Sequence, residues 1–125
     1  MRGSDGKTVL VVEDDPELRE LMEVILEGRG YRVLTAGEGQ EALTKVRQET
    51  PGLILLDLKM PGMNGWAFAQ AFRAQHGHAA PIVLFTALQD SHVQAQEIGA
   101  AGYLDKPFEL ADLLSTVASY IGPAA

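Results

Sequence analysis

Two uninterrupted aliphatic runs end in acid. Thr8-Val9-Leu10-Val11-Val12 leads into Glu13-Asp14-Asp15, and Leu53-Ile54-Leu55-Leu56 leads into Asp57. Each run is too short for a helix and neither alternates. Both therefore predict strands covered on both faces, as in a parallel sheet. Asp57 is followed by Leu58-Lys59-Met60-Pro61-Gly62-Met63-Asn64-Gly65, whose prolines and glycines mark a turn. In an open α/β sheet, ligands bind beyond the carboxyl ends of the strands. Asp57 stands where chemistry is expected. Taken alone, it reads more readily as a loop carboxylate capping the next helix.

The second acidic cluster shifts that balance. If the two strands lie side by side, their acidic ends converge on one sheet edge. Two like charges about 4 Å apart repel by roughly 4 kcal/mol at an effective dielectric of about 20. Such a cluster requires a cation or a raised pKa. With no cysteine in the chain, the available ligands are hard oxygens, which suit Mg²⁺ or Mn²⁺ with waters completing the shell. Asp15 precedes Pro16 and has the spacing of a helix N-cap, so the metal work falls to Glu13 and Asp14.

Two further apolar runs end in helpers. Pro81-Ile82-Val83-Leu84-Phe85 leads into Thr86, and Gly102-Tyr103-Leu104 leads into Asp105-Lys106-Pro107-Phe108. Singly, Thr86 reads as an ordinary strand-end hydroxyl and Lys106 as a solvated loop lysine. Together they supply what a phosphoryl group on Asp57 would need. A divalent cation would neutralise one oxygen, the Thr86 hydroxyl would donate to another, and the Lys106 ammonium would pair with a third.

The rest of the chain fits the same frame. Leu18, Leu21, Met22, Ile25 and Leu26 share one helical face, which ends at Gly28 and Gly30. Tyr31-Arg32-Val33-Leu34 is a short strand. Ala42, Leu43 and Val46 mark a second helix, and Trp66, Ala67, Ala69, Gln70 and Phe72 a third, with Asn64 as its cap. Ser91-His92-Val93-Gln94 opens a fourth helix ending near Gly99, and Glu109, Leu110, Leu113, Leu114 and Val117 mark a fifth. Alternating βα units predict a flavodoxin-like, doubly wound five-stranded parallel sheet of order 2-1-3-4-5 with five helices. That order sets strands 1 and 3 side by side, which brings Glu13 and Asp14 to Asp57.

A formal net charge of −7 argues against direct binding of nucleic acid by this domain, which would need a basic stripe. No apolar stretch approaches membrane-spanning length. His76, His78 and His92 lack metal-ligand spacing and read as surface residues, and Trp66 as packing. Residues 1–6 read as a disordered leader or an expression remnant, 7–121 as one domain, and 122–125 as a tail or the start of a linker.

The chain resembles the receiver domains of two-component response regulators, including the chemotaxis-regulator type. The matching residues are Val11 to Pro16, Leu55 to Gly65, Phe85-Thr86-Ala87 and Gly99 to Phe108. The resemblance implies that Asp57 is the phospho-acceptor and Asp14 a direct Mg²⁺ ligand. Glu13 would act through water, and the Lys59 carbonyl would be the remaining protein ligand. Thr86 and Tyr103 would form a switch pair working on the surface of helix 4, strand 5 and helix 5, and Lys106 would pair with the phosphate. The Lys106–Pro107 bond is expected to be cis.

The implied partner is a histidine kinase or phosphotransfer protein. The output would be a separate partner or a covalently linked domain, and the setting cytoplasmic. A phosphorylation-dependent dimer is one of the assemblies the exposed helices would suit. The chain would catalyse only its own phosphorylation and dephosphorylation. Lys59 and Leu88 are bulky and flank the route of an attacking water, so reset is expected to be slow.

Three other readings compete. A haloacid-dehalogenase-type phosphatase would carry a second Asp at the position of Lys59, and a cap. A pseudo-receiver would not keep Asp14, Asp57, Thr86 and Lys106 together. A receiver excised from a longer protein would keep the chemistry and change only the output.

Overall fold

The computed structural model describes residues 7–58, 64–86 and 91–124, with the backbone alone at 91 and 92. Ten elements alternate: β1 (Thr8–Val12), α1 (Pro16–Gly28), β2 (Arg32–Ala36), α2 (Gly39–Gln48), β3 (Leu53–Leu56), α3 (Gly65–His76), β4 (Ile82–Thr86), α4 (Ser91–Ile98), β5 (Gly102–Asp105) and α5 (Leu110–Ile121). The strands are parallel in the order β2-β1-β3-β4-β5, as the alternating apolar runs require.

Side chains alternate across the sheet and divide the core in two. Leu10, Val12, Ile54, Leu56, Ile82 and Leu84 face a layer that includes Leu43 and Val46 of α2 and Phe68 and Phe72 of α3. Val9, Val11, Leu53, Leu55, Val83 and Phe85 face Met22 and Leu26 of α1 and Leu113 and Val117 of α5. This two-sided burial explains why β1, β3 and β4 are uninterrupted apolar runs.

Register places the acids. Val12 pairs with Leu56, so β1 and β3 end level and the next residues, Glu13 and Asp57, are neighbours. Thr86 pairs with Asp105, which sets Lys106 one residue beyond the Thr86 level. The Lys106–Pro107 bond is cis, as expected.

Caps set where the helices start. The Asp15 carboxylate accepts from the Glu17 amide at 3.0 Å, with Pro16 in the first turn. The Asn64 side chain accepts from the Ala67 amide at 3.0 Å. At the far end of α3, the Arg73 guanidinium donates to the carbonyls of Ile98 (2.9 Å) and Gly99 (2.7 Å), capping α4. The Tyr31 hydroxyl donates to the Gly122 carbonyl at 2.7 Å, and Lys7 donates to that of Ile121.

Three expectations change. β2 runs on to Ala36 rather than stopping at Leu34. Leu21, placed on the core face of α1, is 54% exposed. Successive helical residues are about 100° apart, so with Met22 and Leu26 pointing inward, Leu21 lies at the edge of the stripe. His76 is not a plain surface residue. One turn after Phe72, its ring stacks on that side chain at 5.2 Å, and its Nε2 is buried without a hydrogen-bond partner among the described residues.

Candidate functional site

The carboxyl edge of β1 and β3 brings three acids together. Glu13, Asp14 and Asp57 each offer a carboxylate oxygen, and these oxygens lie within 4.8 Å of one another. Glu13 and Asp57 are buried, whereas Asp14 is open to solvent. Backbone pairing fixes the first two: the Glu13 amide donates to Ala36 O and the Asp57 amide to Val12 O, both at 3.0 Å. The Glu13 carboxylate also accepts from the Asp15 amide at 2.9 Å.

Lys106 enters from the end of β5. Its Nζ is 2.6 Å from Glu13 Oε1 and 3.4 Å from Asp57 Oδ2. It also lies 5.1 Å from the centre of the Phe85 ring, whose edge packs against Phe108. Lys106 is thus a half-buried ammonium held between two acids and an aromatic face, as its expected place at the site requires and unlike the solvated loop lysine it resembles when read alone.

Burial raises the Glu13 pKa. The Asp57 charge adds to that, while Lys106 and the Asp15 amide oppose it. Burial works to lower the Lys106 pKa, but the hydrogen bond to Glu13 and the charges of Asp57 and Glu13 outweigh it, so the net direction is upward. The site thus holds a firmly charged lysine and an excess of carboxylate.

Thr86 is buried at the end of β4, next to this edge, and Tyr103 on β5 is 46% exposed. The sequence thus brings Glu13, Asp14, Asp57, Thr86 and Lys106 to one edge. Lys59 and Leu88 lie outside the described residues.

The donor set fits a hard divalent cation. All the ligand atoms are oxygens, they lie close enough to share one ion, and the exposure of Asp14 leaves room for water in the shell. One Glu13 oxygen is already engaged by Lys106, which suits Glu13 to an indirect role.

One contact at the site escaped the sequence reading. A Cβ at Gly65 would stand 2.7 Å from the Asp57 carbonyl oxygen and 2.8 Å from Leu58 Cα. The start of α3 packs directly on the backbone that carries Asp57, and the Gly65 amide donates to Leu58 O at 3.1 Å. A glycine just after a capping Asn was the available signal.

A parallel 2-1-3-4-5 sheet with an acid triad and a lysine at its carboxyl edge defines a receiver-type signalling domain. The profile of the response regulator receiver domain matches residues 9–118, and the chain belongs to that family. The DNA-binding response regulator MtrA of Mycolicibacterium smegmatis is 43% identical over 111 residues, covering 87% of this chain and 48% of that protein. The probable transcriptional regulator ycf27 of Cyanophora paradoxa is 37% identical over 117 residues, covering 92% of this chain and 48% of that protein. The chain thus spans about half the length of the curated relatives it matches.

Among solved structures, chemotaxis protein CheY4 of Vibrio cholerae matches with a TM-score of 0.83 and 34% identity, covering 90% of this chain and 97% of that one. Response regulator TrrA of Thermotoga maritima, solved in complex with Mg²⁺-BeF, matches with a TM-score of 0.80 and 34% identity over the same shares. Among the described residues, no helix is long and apolar enough to cross a membrane.

Proposed function

We propose that this chain is a phospho-accepting switch, with Asp57 as the residue that takes the phosphoryl group. The observation that carries the reading is the buried Asp57 carboxylate with the Lys106 ammonium 3.4 Å away and two further acids within reach of one cation. In the transfer, an Asp57 oxygen forms a bond to phosphorus as the N–P bond of a phosphohistidine breaks. The electron pair of that bond stays on the imidazole, which takes up a proton. Reset is the attack of water on phosphorus, with Asp57 leaving as a carboxylate.

Asp14 and Asp57 would hold Mg²⁺ (or Mn²⁺) directly, Glu13 through water, and the Lys59 carbonyl would complete the protein ligands. When bound, the cation supplies charge neutralisation for an acceptor that is otherwise a weak nucleophile. Lys106 pairs with a phosphoryl oxygen, giving up part of its contact with Glu13. The phosphoryl group adds about 1.5 to 2 negative charges at Asp57. Thr86 moves toward it to donate, and Tyr103 turns inward behind it, remodelling the surface of α4, β5 and α5. Tyr103 held in one rotamer with and without a phosphoryl mimic would sink the switch.

The donor is a histidine kinase or phosphotransfer protein in the cytoplasm. The names of the curated relatives favour a linked DNA-binding domain as the output; a phosphorylation-dependent dimer is the assembly that the exposed α4 and α5 would suit. The acidic receiver itself leaves DNA contact to that domain.

The test is intact mass after incubation with a small acyl phosphate. A Mg²⁺-dependent gain of one phosphoryl group, lost in Asp57→Asn, supports the reading. A gain that survives Asp57→Asn refutes it.

A further inference from the structure

Arg19 makes a connection that the phosphoryl chemistry does not use. It lies on the first turns of α1, yet its guanidinium turns back over the β1–α1 loop. Nη1 donates to Glu13 O at 2.9 Å and reaches Asp14 O at 3.5 Å. The same group also lies against the β2–α2 connection, where a Cβ at Gly37 would meet Nη1 at 3.0 Å. Its own backbone amide donates to Asp15 O at 2.9 Å, so one residue ties down three consecutive carbonyls of the acidic loop.

The placement matters because the two acids differ in support. Glu13 is buried and held by the Ala36 carbonyl, the Asp15 amide and Lys106. Asp14 is exposed, and its position depends on the backbone on either side of it. A guanidinium across two adjacent carbonyls limits rotation of the peptide unit between them. That peptide unit carries the link from Glu13 to Asp14, and so directs the Asp14 carboxylate relative to Asp57.

We infer that Arg19 is a positioning residue for the acid cluster. It holds the Glu13–Asp14 backbone so that Asp14 faces Asp57 before any cation arrives. The inference rests on the cation role proposed above for Asp14. Position and charge act in opposite directions here. Removing a nearby positive charge should by itself tighten cation binding, whereas loosening the loop should weaken it.

The experiment compares the parent chain with Arg19→Met, Arg19→Lys and Arg73→Met. The last removes another helix arginine that caps carbonyls, but far from the acids. Mn²⁺ is titrated against each, followed by the paramagnetic resonance of the free ion. Amide exchange at Glu13 and Asp15 is measured in the metal-free chains.

Arg19→Met should weaken Mn²⁺ binding about fivefold and speed exchange at both amides by a similar factor, the effect of losing one charge-assisted hydrogen bond. Arg19→Lys, which keeps the charge and one donor group, should fall between parent and Met. Arg73→Met should leave both readings within about twofold of the parent.

The inference is overturned if Arg19→Met binds Mn²⁺ as tightly as the parent or more tightly. It is also overturned if the two amides exchange at the parental rate, or if Arg73→Met shows the same losses. If Arg19→Met does not fold, parental values for Arg19→Lys overturn it. A parent chain that takes up no Mn²⁺ defeats the cation reading instead, and the exchange rates then decide the role of Arg19.

Discussion

The Lys106 ammonium lies 2.6 Å from Glu13 and 3.4 Å from Asp57, so in this state its shorter contact is with the acid that is not the proposed acceptor. Glu13 is buried and depends on that contact. Lys106→Met should therefore act twice. It leaves a buried carboxylate without its cation, at a cost of about 1 to 3 kcal/mol in urea unfolding. It should also slow phosphorylation by acyl phosphate about tenfold or more by removing one neutralising charge. A variant as stable as the parent that reacts at the parental rate would show that the contact is incidental.

Three carboxylates around one point repel in the metal-free chain. Asp14→Asn removes one charge and should raise the metal-free thermal midpoint by a few degrees, as expected for about 1 kcal/mol in a chain of this size. Added Mg²⁺ should stabilise the parent progressively with concentration, by mass action, and the variant far less. Thermal melts across a Mg²⁺ series check both. Equal stabilisation of the two chains would place the cation elsewhere.

In the proposed cycle, reset depends on how water reaches an aspartyl phosphate at Asp57. Lys59 stands two residues after Asp57 and carries a long side chain. Replacing it with a shorter amide in Lys59→Asn should open the approach and speed loss of the phosphoryl group. The decay of the phosphorylated mass after donor removal measures it. Equal or slower decay in the variant contradicts the idea.

Gly65 is predicted to tolerate no side chain. A Cβ there would meet backbone atoms of Asp57 and Leu58 at 2.7 and 2.8 Å, and neither can swing aside. Gly65→Ala should cost about 1 to 3 kcal/mol by overpacking and displace the Asp57 backbone. Phosphorylation should fall with it, because the displaced atoms carry the proposed acceptor. Urea unfolding and acyl-phosphate labelling of the same variant test the link.

Gly65 also marks where sequence reasoning stops. The strands and Glu13, Asp14, Asp57, Thr86 and Lys106 were legible because each site residue stands at or just past the end of an apolar run, and the order 2-1-3-4-5 follows from the fold class that alternating βα units imply. The helix interiors were read nearly as well, since Met22, Leu26, Leu43, Val46 and Val117 repeat at helical spacing and are buried. What escaped depends on distances between segments. Nothing local says that Gly65 touches the backbone of Asp57, or that Arg19 reaches back to Glu13 O. Nor does periodicity say how wide the buried stripe is, which is why Leu21 was assigned inward. His76 is a local exception: α3 runs on to it, so it falls one turn after Phe72 rather than in a polar connection before β4.

At the opposite edge of the sheet, Glu49 joins β1, β2 and the end of α2. Arg32 grips it through Nε and Nη2 at 2.8 to 3.0 Å, and the Thr8 hydroxyl donates to it at 3.1 Å. The Arg32 hydrogen bonds hold the Glu49 pKa below its ordinary value of 4.5, against a smaller opposing effect of burial. A carboxylate whose folded pKa is depressed contributes stability above its unfolded pKa and loses it as the pH falls through the folded value. Glu49→Gln should therefore be less stable than the parent at about pH 7, and the gap should be narrower in acid, at about pH 3, than at neutral pH. Because the Arg32 side of the pair is open to solvent, the difference should be modest and shrink in high salt. Urea midpoints for both chains at the two pH values check the sign. A gap that widens in acid would mean that Glu49 acts there as a neutral hydrogen-bonding group rather than as an anion.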